Sequence, residues 1–374
     1  MIARALGIRR PTIVQWLRQK EYMDNRGWSK GKKRTHTEAE ERRIIALKKE
    51  RTRRKAYFHG RTYIQMDYAK AYPDAPLPST WFIRDVIARN GLQSQTVTMR
   101  RHQQNIVARL LFPERSITAL GELQQAGDFI GKKFITGSSE PISFFSTSYY
   151  TGFDLHHIWR ILAETAPSAT QCLTAWWTRF PVANVFRMDN GTPFRGPVKV
   201  EACIGRFLKF LLNLGVTPLF SAPYQSYTNP HIEGHNSTFA AKVWRTQHFT
   251  SHEQIDTECD RFNAESEEFF RWKFKEQLQK TNLRYLTAMD TMDADVLRST
   301  QGKKIHFIRF VEQWTERNDI AGIVVLNRFV EMPTLYLNQY VFVTLDLETA
   351  RLTIISEQKG QCHKIFNKPF PYTC

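Results

Sequence analysis

The stretch MDNGTPFRGPVKVEACIGRFLKFLLNLGVTPLFSAPYQSYTNPHIEGHNSTF, Met188 to Phe239, decides the reading of the fold. Leading into it, Val185-Phe186-Arg187-Met188 runs apolar into Asp189-Asn190-Gly191, which predicts a buried strand ending at a carboxylate before a glycine turn. Ile204, Phe207, Leu208, Leu211 and Leu212 then recur at helical spacing, and Val216 to Phe220 reads as a second buried strand. Asn229-Pro230 opens a helix that carries Glu233 in its first turn. Two carboxylates are thereby delivered towards one sheet edge. Upstream, Gly127-Asp128-Phe129-Ile130-Gly131 puts a third carboxylate on a predicted strand, giving the order Asp128, Asp189, Glu233.

With that order in hand, the turn Asp189-Asn190-Gly191-x-x-Phe194 and the helix start Asn229-x-x-x-Glu233-x-x-Asn236-x-x-Phe239 resemble those of DDE integrase-type transposases of bacterial insertion sequences. More distantly they resemble those of retroviral integrases. The resemblance covers nearly the whole chain. It implies a ribonuclease H-like α/β core over residues 118–250 and an enzyme that cleaves and joins DNA strands. It also implies two Mg²⁺ ions, with Mn²⁺ as a substitute, held by Asp128, Asp189 and Glu233. Asp128 would bridge both ions, and Asp189 and Glu233 would each hold one. Phosphodiester chemistry suits such a site, because paired ions roughly 3.5–4 Å apart activate the attacking oxygen and neutralise the leaving one, and Mg²⁺ favours carboxylate oxygens. The partners implied are double-stranded DNA, both element ends and target, and further copies of the same chain, at the nucleoid in the bacterial cytoplasm.

Each carboxylate also has a plainer reading. Asp189 could make only an Asx turn, Glu233 could only favour the helix dipole, and Asp128 could be solvated. Asp154 and Glu201 are the nearest substitutes, and His156, His157, His231 and His235 make no metal pattern. The chain departs from the family at Pro230 and Gly234, at Ser237 and Ala240 where retroviral relatives carry basic residues, and in the 43 residues between Asp189 and Glu233. His235, Thr238, Lys242 and Arg245 share a helical stripe turned away from Glu233. Two other functions therefore stand beside transposition: a catalytically inactive DNA-binding descendant of a transposase, and a ribonuclease H-like nuclease.

Composition limits the alternatives. At 374 residues the chain has room for two or three domains, and its net charge of +17 favours a nucleic-acid partner, since neutralising phosphates supplies most sequence-independent affinity. Residues 1–60 hold 18 Lys and Arg against 6 Asp and Glu, so most of the excess sits in the first sixth. No apolar run approaches the roughly 18 residues of a membrane span. The five cysteines are scattered without a paired motif, so neither a disulfide framework nor a zinc site is expected.

The ends of the chain read as all-α and all-β respectively. Residues 1–35 include a partial helix-turn-helix, with Ala3, Gly7, Ile13 and Leu17 at its packing positions and Arg10, Thr12, Gln15 and Arg18 free to face a DNA groove. Residues 36–92 read as a second, DNA-binding helix-turn-helix: a capping box at Thr37, a helix from Arg61 to Ala71, and a third from an N-cap at Ser79 to Asn90 with Gly91 as its stop. Its last helix would bury Phe82, Ile83, Val86 and Ile87 and leave Trp81 and Arg84 for DNA. A basic linker follows over 93–117. Within the core, strands are expected over Pro141 to Ser148 and Thr151 to Arg160, then a helix capped by Ser168. After it come an acidic helical spacer over 251–300, a small SH3-like all-β barrel over 301–357, and a tail over 358–374.

Overall fold

The computed structural model describes residues 36–93, 112–135, 137–139, 141–197, 199–223, 228–280, 282–287, 295–314, 319–358 and 361–374. The helix-turn-helix read over 1–35, with Arg10, Thr12, Gln15 and Arg18, lies outside them, as does most of the linker over 93–117. The described residues divide into two units, the first of residues 36–54 and 59–93, the second of 55–58 and everything from 112 onwards.

The first unit is three helices, α1 (Glu38–Arg53), α2 (Arg61–Ala71) and α3 (Thr80–Arg89). The capping box forms as read: Glu40 N donates to Thr37 Oγ1 at 3.2 Å and Thr37 N to Glu40 Oε2 at 2.6 Å. Ser79 caps α3 through Phe82 N at 3.2 Å, and Gly91 ends it at φ 64°, a left-handed conformation that suits glycine. Ile44, Ile64, Tyr68, Phe82, Ile83, Val86 and Ile87 meet in one small core. Beside it the buried Arg51 is held by both oxygens of Asp67.

The second unit is built on one nine-stranded sheet in the order β12-β11-β10-β6-β5-β4-β1-β2-β3. After a short helix α4 (Glu114–Thr118), strands β1 (Gln124–Phe134), β2 (Pro141–Thr151) and β3 (Leu155–Ile161) run antiparallel. Strand β2 continues through Tyr149 and Tyr150, later than the sequence reading, because the turn waits for Gly152 at φ 83°. Helix α5 (Ala166–Arg179) follows, capped by Thr165 instead of Ser168, whose backbone N–H is the group being capped, at 3.3 Å. Strand β4 (Val185–Met188), α6 (Thr192–Arg195), α7 (Arg206–Asn213), β5 (Thr217–Phe220) and α8 (Pro230–Phe239) complete the predicted alternation. β1, β4 and β5 are parallel neighbours. The four residues of β4 are all buried, as a central parallel strand covered on both faces requires. Trp176, Trp177, Phe207 and Leu211 from α5 and α7 fill the core beneath.

The stretch expected as a helical spacer is α9 (His252–Lys273), and it belongs to this unit's core. Ile255, Cys259, Phe262 and Phe270 are buried, Arg160 on β3 grips Asp256 with two hydrogen bonds of 2.7 and 2.6 Å, and Asn263 completes the edge of β3. Its amide accepts from Ile158 N at 3.0 Å and donates to Ile158 O at 2.8 Å, so the exposed ladder of an edge strand is satisfied.

The C-terminal strands correct a second expectation. In place of a separate barrel over 301–357, β6 (Lys304–Phe310) pairs parallel to β5, and β10 (Tyr340–Asp346), β11 (Arg351–Gln358) and β12 (Gln361–Pro369) extend the same sheet antiparallel. The reason is in β6 itself: Ile305 to Arg309 are buried without alternation, so both faces need cover, which the edge of a small barrel would not give. Phe307 stacks on Phe220 at 5.1 Å, and Glu357 accepts from Arg115 N and Ser116 N, both at 3.1 Å. Strand β12 occupies what reads in sequence as a tail. Only β7 (Glu312–Trp314), β8 (Ile320–Val325) and β9 (Arg328–Glu331) stand apart, as a small antiparallel sheet. All five cysteines are free thiols, and no helix among the described residues is long and apolar enough to cross a membrane.

Candidate active site

The three carboxylates singled out from the sequence line one cleft of about 690 Å³ in the second unit. Asp128 lies within β1, opposite Ser146 of β2. Asp189 is the first residue after β4, and its Oδ1 accepts from Gly191 N at 2.9 Å. The Asx turn is therefore real, and it coexists with a place in the cleft. Glu233 sits in the first turn of α8.

A further residue of the Asn229-x-x-x-Glu233-x-x-Asn236 motif joins two of these elements. Asn236, one turn beyond Glu233 and on the same side of α8, donates from Nδ2 to Asp128 Oδ2 at 3.0 Å. Ser146 Oγ donates to Asn236 Oδ1 at 2.7 Å, which fixes the orientation of the amide. The i, i+3 spacing from Glu233 was the available signal.

The loops that bring Asp189 and Glu233 together rest on buried polar side chains. Asn190 donates to Ser221 O at 2.7 Å, and its Oδ1 accepts from Arg309 Nη2 at 2.9 Å, so the ends of β4, β5 and β6 are tied at one point. Arg187, buried on β4, donates to Thr228 O, and Thr228 Oγ1 accepts from Ala222 N at 3.2 Å, which sets the approach to α8. Arg309 lies 120 positions beyond Asp189, and no local pattern connects them.

Electrostatically the cleft holds more negative charge than the protein neutralises. Burial, then the charges of Asp189 and Glu233, push Asp128 up from 3.8 to about 7, against the lowering effects of Phe129 N–H and Asn236. Burial raises Asp189, with Gly191 N–H and Arg195 opposing, and burial followed by Asp189 raises Glu233. Such mutual repulsion fits a site that takes up hard cations through oxygen ligands. The oxygens do not form a ready cage: among the described residues no group of three or more His, Cys, Asp or Glu is arranged to hold a metal ion.

The other candidates lie elsewhere. Asp154 pairs with Lys273 at 3.6 Å and Glu201 with Arg328 at 3.6 Å. His156 is buried and stacks on His235 at 4.3 Å. Trp81, 62% exposed, and Arg84 stand on the outer face of α3. Beyond α8 the chain makes a turn of π-helix over Ala240–Trp244, which shifts the stripe expected from ideal α-helical pitch. Lys242 is engaged, donating to Tyr57 O with its ammonium 4.3 Å from the Phe58 ring centre, whereas Arg245 is exposed.

No family model matches the chain, and no curated protein does. Among solved structures, a simian T-cell lymphotropic virus intasome in complex with PP2A regulatory subunit B56 gamma is similar at 11% identity and a TM-score of 0.30, covering 78% of this chain and 98% of that one. The Mos1 mariner paired end complex with Mn shows 15% identity and a TM-score of 0.28, over 75% of this chain and 89% of that one. A pre-cleavage Mos1 transpososome shows 13% identity and 0.27, over 72% and 83%. Scores this low carry no weight for function, which rests on the chain's own side chains.

Proposed function

We propose that this protein is a DDE-type transposase with a ribonuclease H-like core, binding the ends of a mobile element and cutting and joining DNA strands at Asp128, Asp189 and Glu233. The observation that carries the reading is that three carboxylates from a first strand, a fourth strand and a following helix line one cleft, where burial raises all three and the charge of Asp189 raises the other two further. Asp128 is the member that feels both of the others. These three would hold two Mg²⁺ or Mn²⁺ ions, which when bound activate water or a DNA 3′-hydroxyl and offset charge on the leaving oxygen. Asn236 keeps Asp128 turned towards Glu233, and Asn190 with Arg309 keeps the Asp189 turn in place. No side chain is needed as a covalent nucleophile.

Two of the departures from the family pattern, Pro230 and Gly234, do not weigh against activity. Pro230 occupies the first turn of α8, where a missing N–H is harmless, and a side chain at Gly234 would meet nothing within 4 Å. For DNA contact the first unit offers Trp81 and Arg84, and the second offers Arg245. Two DNA ends to be processed make assembly of at least two copies part of the proposal.

The test is incubation with the DNA flanking the protein's own gene and Mg²⁺, comparing wild type with Asp189→Asn. Nicks and joints at both element boundaries that vanish in the variant support the reading. Equal products from both proteins, or none from either, overturn it.

A further inference from the structure

The cleft is not acidic throughout. Besides the carboxylates it is lined by Arg195, at the end of α6, Arg309, on β6, and Trp314, at the end of β7. Two donors in this group are orphaned: the atoms Arg195 Nε and Trp314 Nε1 are buried and have no hydrogen-bond partner among the described residues. A buried donor left unmade costs about 1–3 kcal/mol, so two at one place call for an absent acceptor.

Arg309 is a second cation on this side of the cleft. It is 3% exposed, and its guanidinium donates to Val324 O at 2.6 Å, Ser221 O at 3.1 Å, Ile308 O at 2.8 Å and Asn190 Oδ1 at 2.9 Å. These use four of its five N–H groups and include no carboxylate. Burial and the nearby Arg195 lower its pKa to about 9. Arg195 lies near enough to Arg309 to lower its pKa and near enough to Asp189 to oppose that carboxylate's rise, and neither guanidinium is in an ion pair within 4 Å among the described residues, so a further anion would be favoured beside them. The position of Arg195 is also fixed. Helix α6 ends at Gly196, with φ 98°, and a Cβ on Gly196 would come within 2.9 Å of Gly205 Cα. The close approach of these two glycines seats the helix.

We propose that Arg195, Arg309 and Trp314 form a phosphate-binding half of the cleft, which holds a backbone phosphate of the DNA strand next to the one presented to the carboxylates. A tetrahedral phosphate offers acceptors in several directions, matching donors that arrive from a helix end and two strands. Successive phosphates on a strand follow every ~3.4 Å of helix axis, so one cleft can hold the reacting phosphate and its neighbour. The assignment rests on the reading of the cleft as a DNA-processing site.

Binding without divalent metal separates this proposal from catalysis. Duplexes from the boundary of the protein's own gene are prepared with one phosphate at a time replaced by an uncharged methylphosphonate, and affinity is measured for wild type, Arg195→Gln and Trp314→Phe. Trp314→Phe keeps an aromatic ring at the position but removes the N–H together with the five-membered ring that carries it. Wild type is expected to lose about tenfold at one position, the size of one or two charge-assisted hydrogen bonds. Both variants should bind unmodified DNA about tenfold more weakly and be indifferent at that position alone. Variants whose scan matches wild type, or a wild type with no sensitive phosphate, overturn the proposal. If Arg195→Gln does not fold, Trp314→Phe carries the test. Inorganic phosphate that raises the melting temperature of wild type but not of Arg195→Gln, with an unchanged DNA scan, would make this a free-phosphate site and overturn the assignment to DNA. If the scan behaves as expected but no DNA is cut in Mg²⁺, the catalytic reading falls and this one stands.

Discussion

Asn236 donates to Asp128 at 3.0 Å across the gap between helix α8 and strand β1, joining two residues 108 positions apart in sequence. The bond does two things. It turns one carboxylate oxygen of Asp128 towards the helix that carries Glu233, and it partly offsets the repulsion that raises Asp128. Replacing Asn236 with Ala is expected to reduce DNA joining about 10–100-fold, the usual range for a residue that orients a metal ligand. The Mg²⁺ concentration for half-maximal joining should rise with it. A variant with reduced joining at an unchanged Mg²⁺ requirement would show that Asn236 acts through folding instead.

The titration of Asp128 sets a pH dependence. In the folded chain it titrates at about 7, against an ordinary 3.8. Between those values the folded state binds a proton that the unfolded state has lost, so this group's contribution to stability falls as pH rises from about 4 to about 7. Asp128→Asn removes that penalty. Denaturant unfolding should find the variant more stable than wild type by about 1–2 kcal/mol at pH 8, a figure reduced for the water that reaches the cleft, with the advantage gone near pH 4. Mg²⁺ at pH 8 should stabilise wild type and not the variant. A gap between the two proteins that does not change with pH would count against the assignment.

Arg309 predicts a large structural effect. Its loss takes the side-chain donor from Val324 O, leaves Ser221 O with Asn190 as its remaining side-chain donor, and frees Asn190 from β6. Arg309→Ala is expected to destabilise the chain by about 3 kcal/mol, from unmet hydrogen bonds and a cavity. Equilibrium unfolding measures it, and a loss below about 1 kcal/mol would mean that the ends of β4, β5 and β6 hold together without it.

The C-terminal strands give a test of the sheet. Removing residues 301–374 strips β6 from β5 and opens a core that includes Phe220, Phe307 and Val343. The shortened chain should lose cooperative unfolding and aggregate. A soluble fragment with a sharp thermal transition would favour an independent C-terminal domain.

On α3, Arg84→Ala should weaken DNA binding and lower the salt slope by about 1, as for one lost phosphate contact, with no change in melting temperature because the side chain is exposed. An unchanged slope would remove Arg84 from the interface.

The sequence by itself determined most of the described helices and strands between Glu38 and Phe239, though not the short α4 and α6, since capping residues, glycine stops and apolar period are local signals that act within a turn or two. It also pointed to Asp128, Asp189 and Glu233, which line one cleft, because Asp189 and Glu233 stand at element boundaries whose turn chemistry is written beside them. Three things belonged to the tertiary structure alone. Helix α9, polar enough to read as a spacer, is core because Asn263 and Asp256 meet β3, a partner about 100 residues away. The C-terminal strands could be found but not placed, because a strand's period says which faces are buried and never which neighbour buries them. The donor side of the cleft stayed hidden for the same reason. Arg309 and Trp314 come to line the cleft of Asp189 with β6 paired parallel to β5, and that pairing is chosen by packing across the whole sheet rather than by residues near it in the chain.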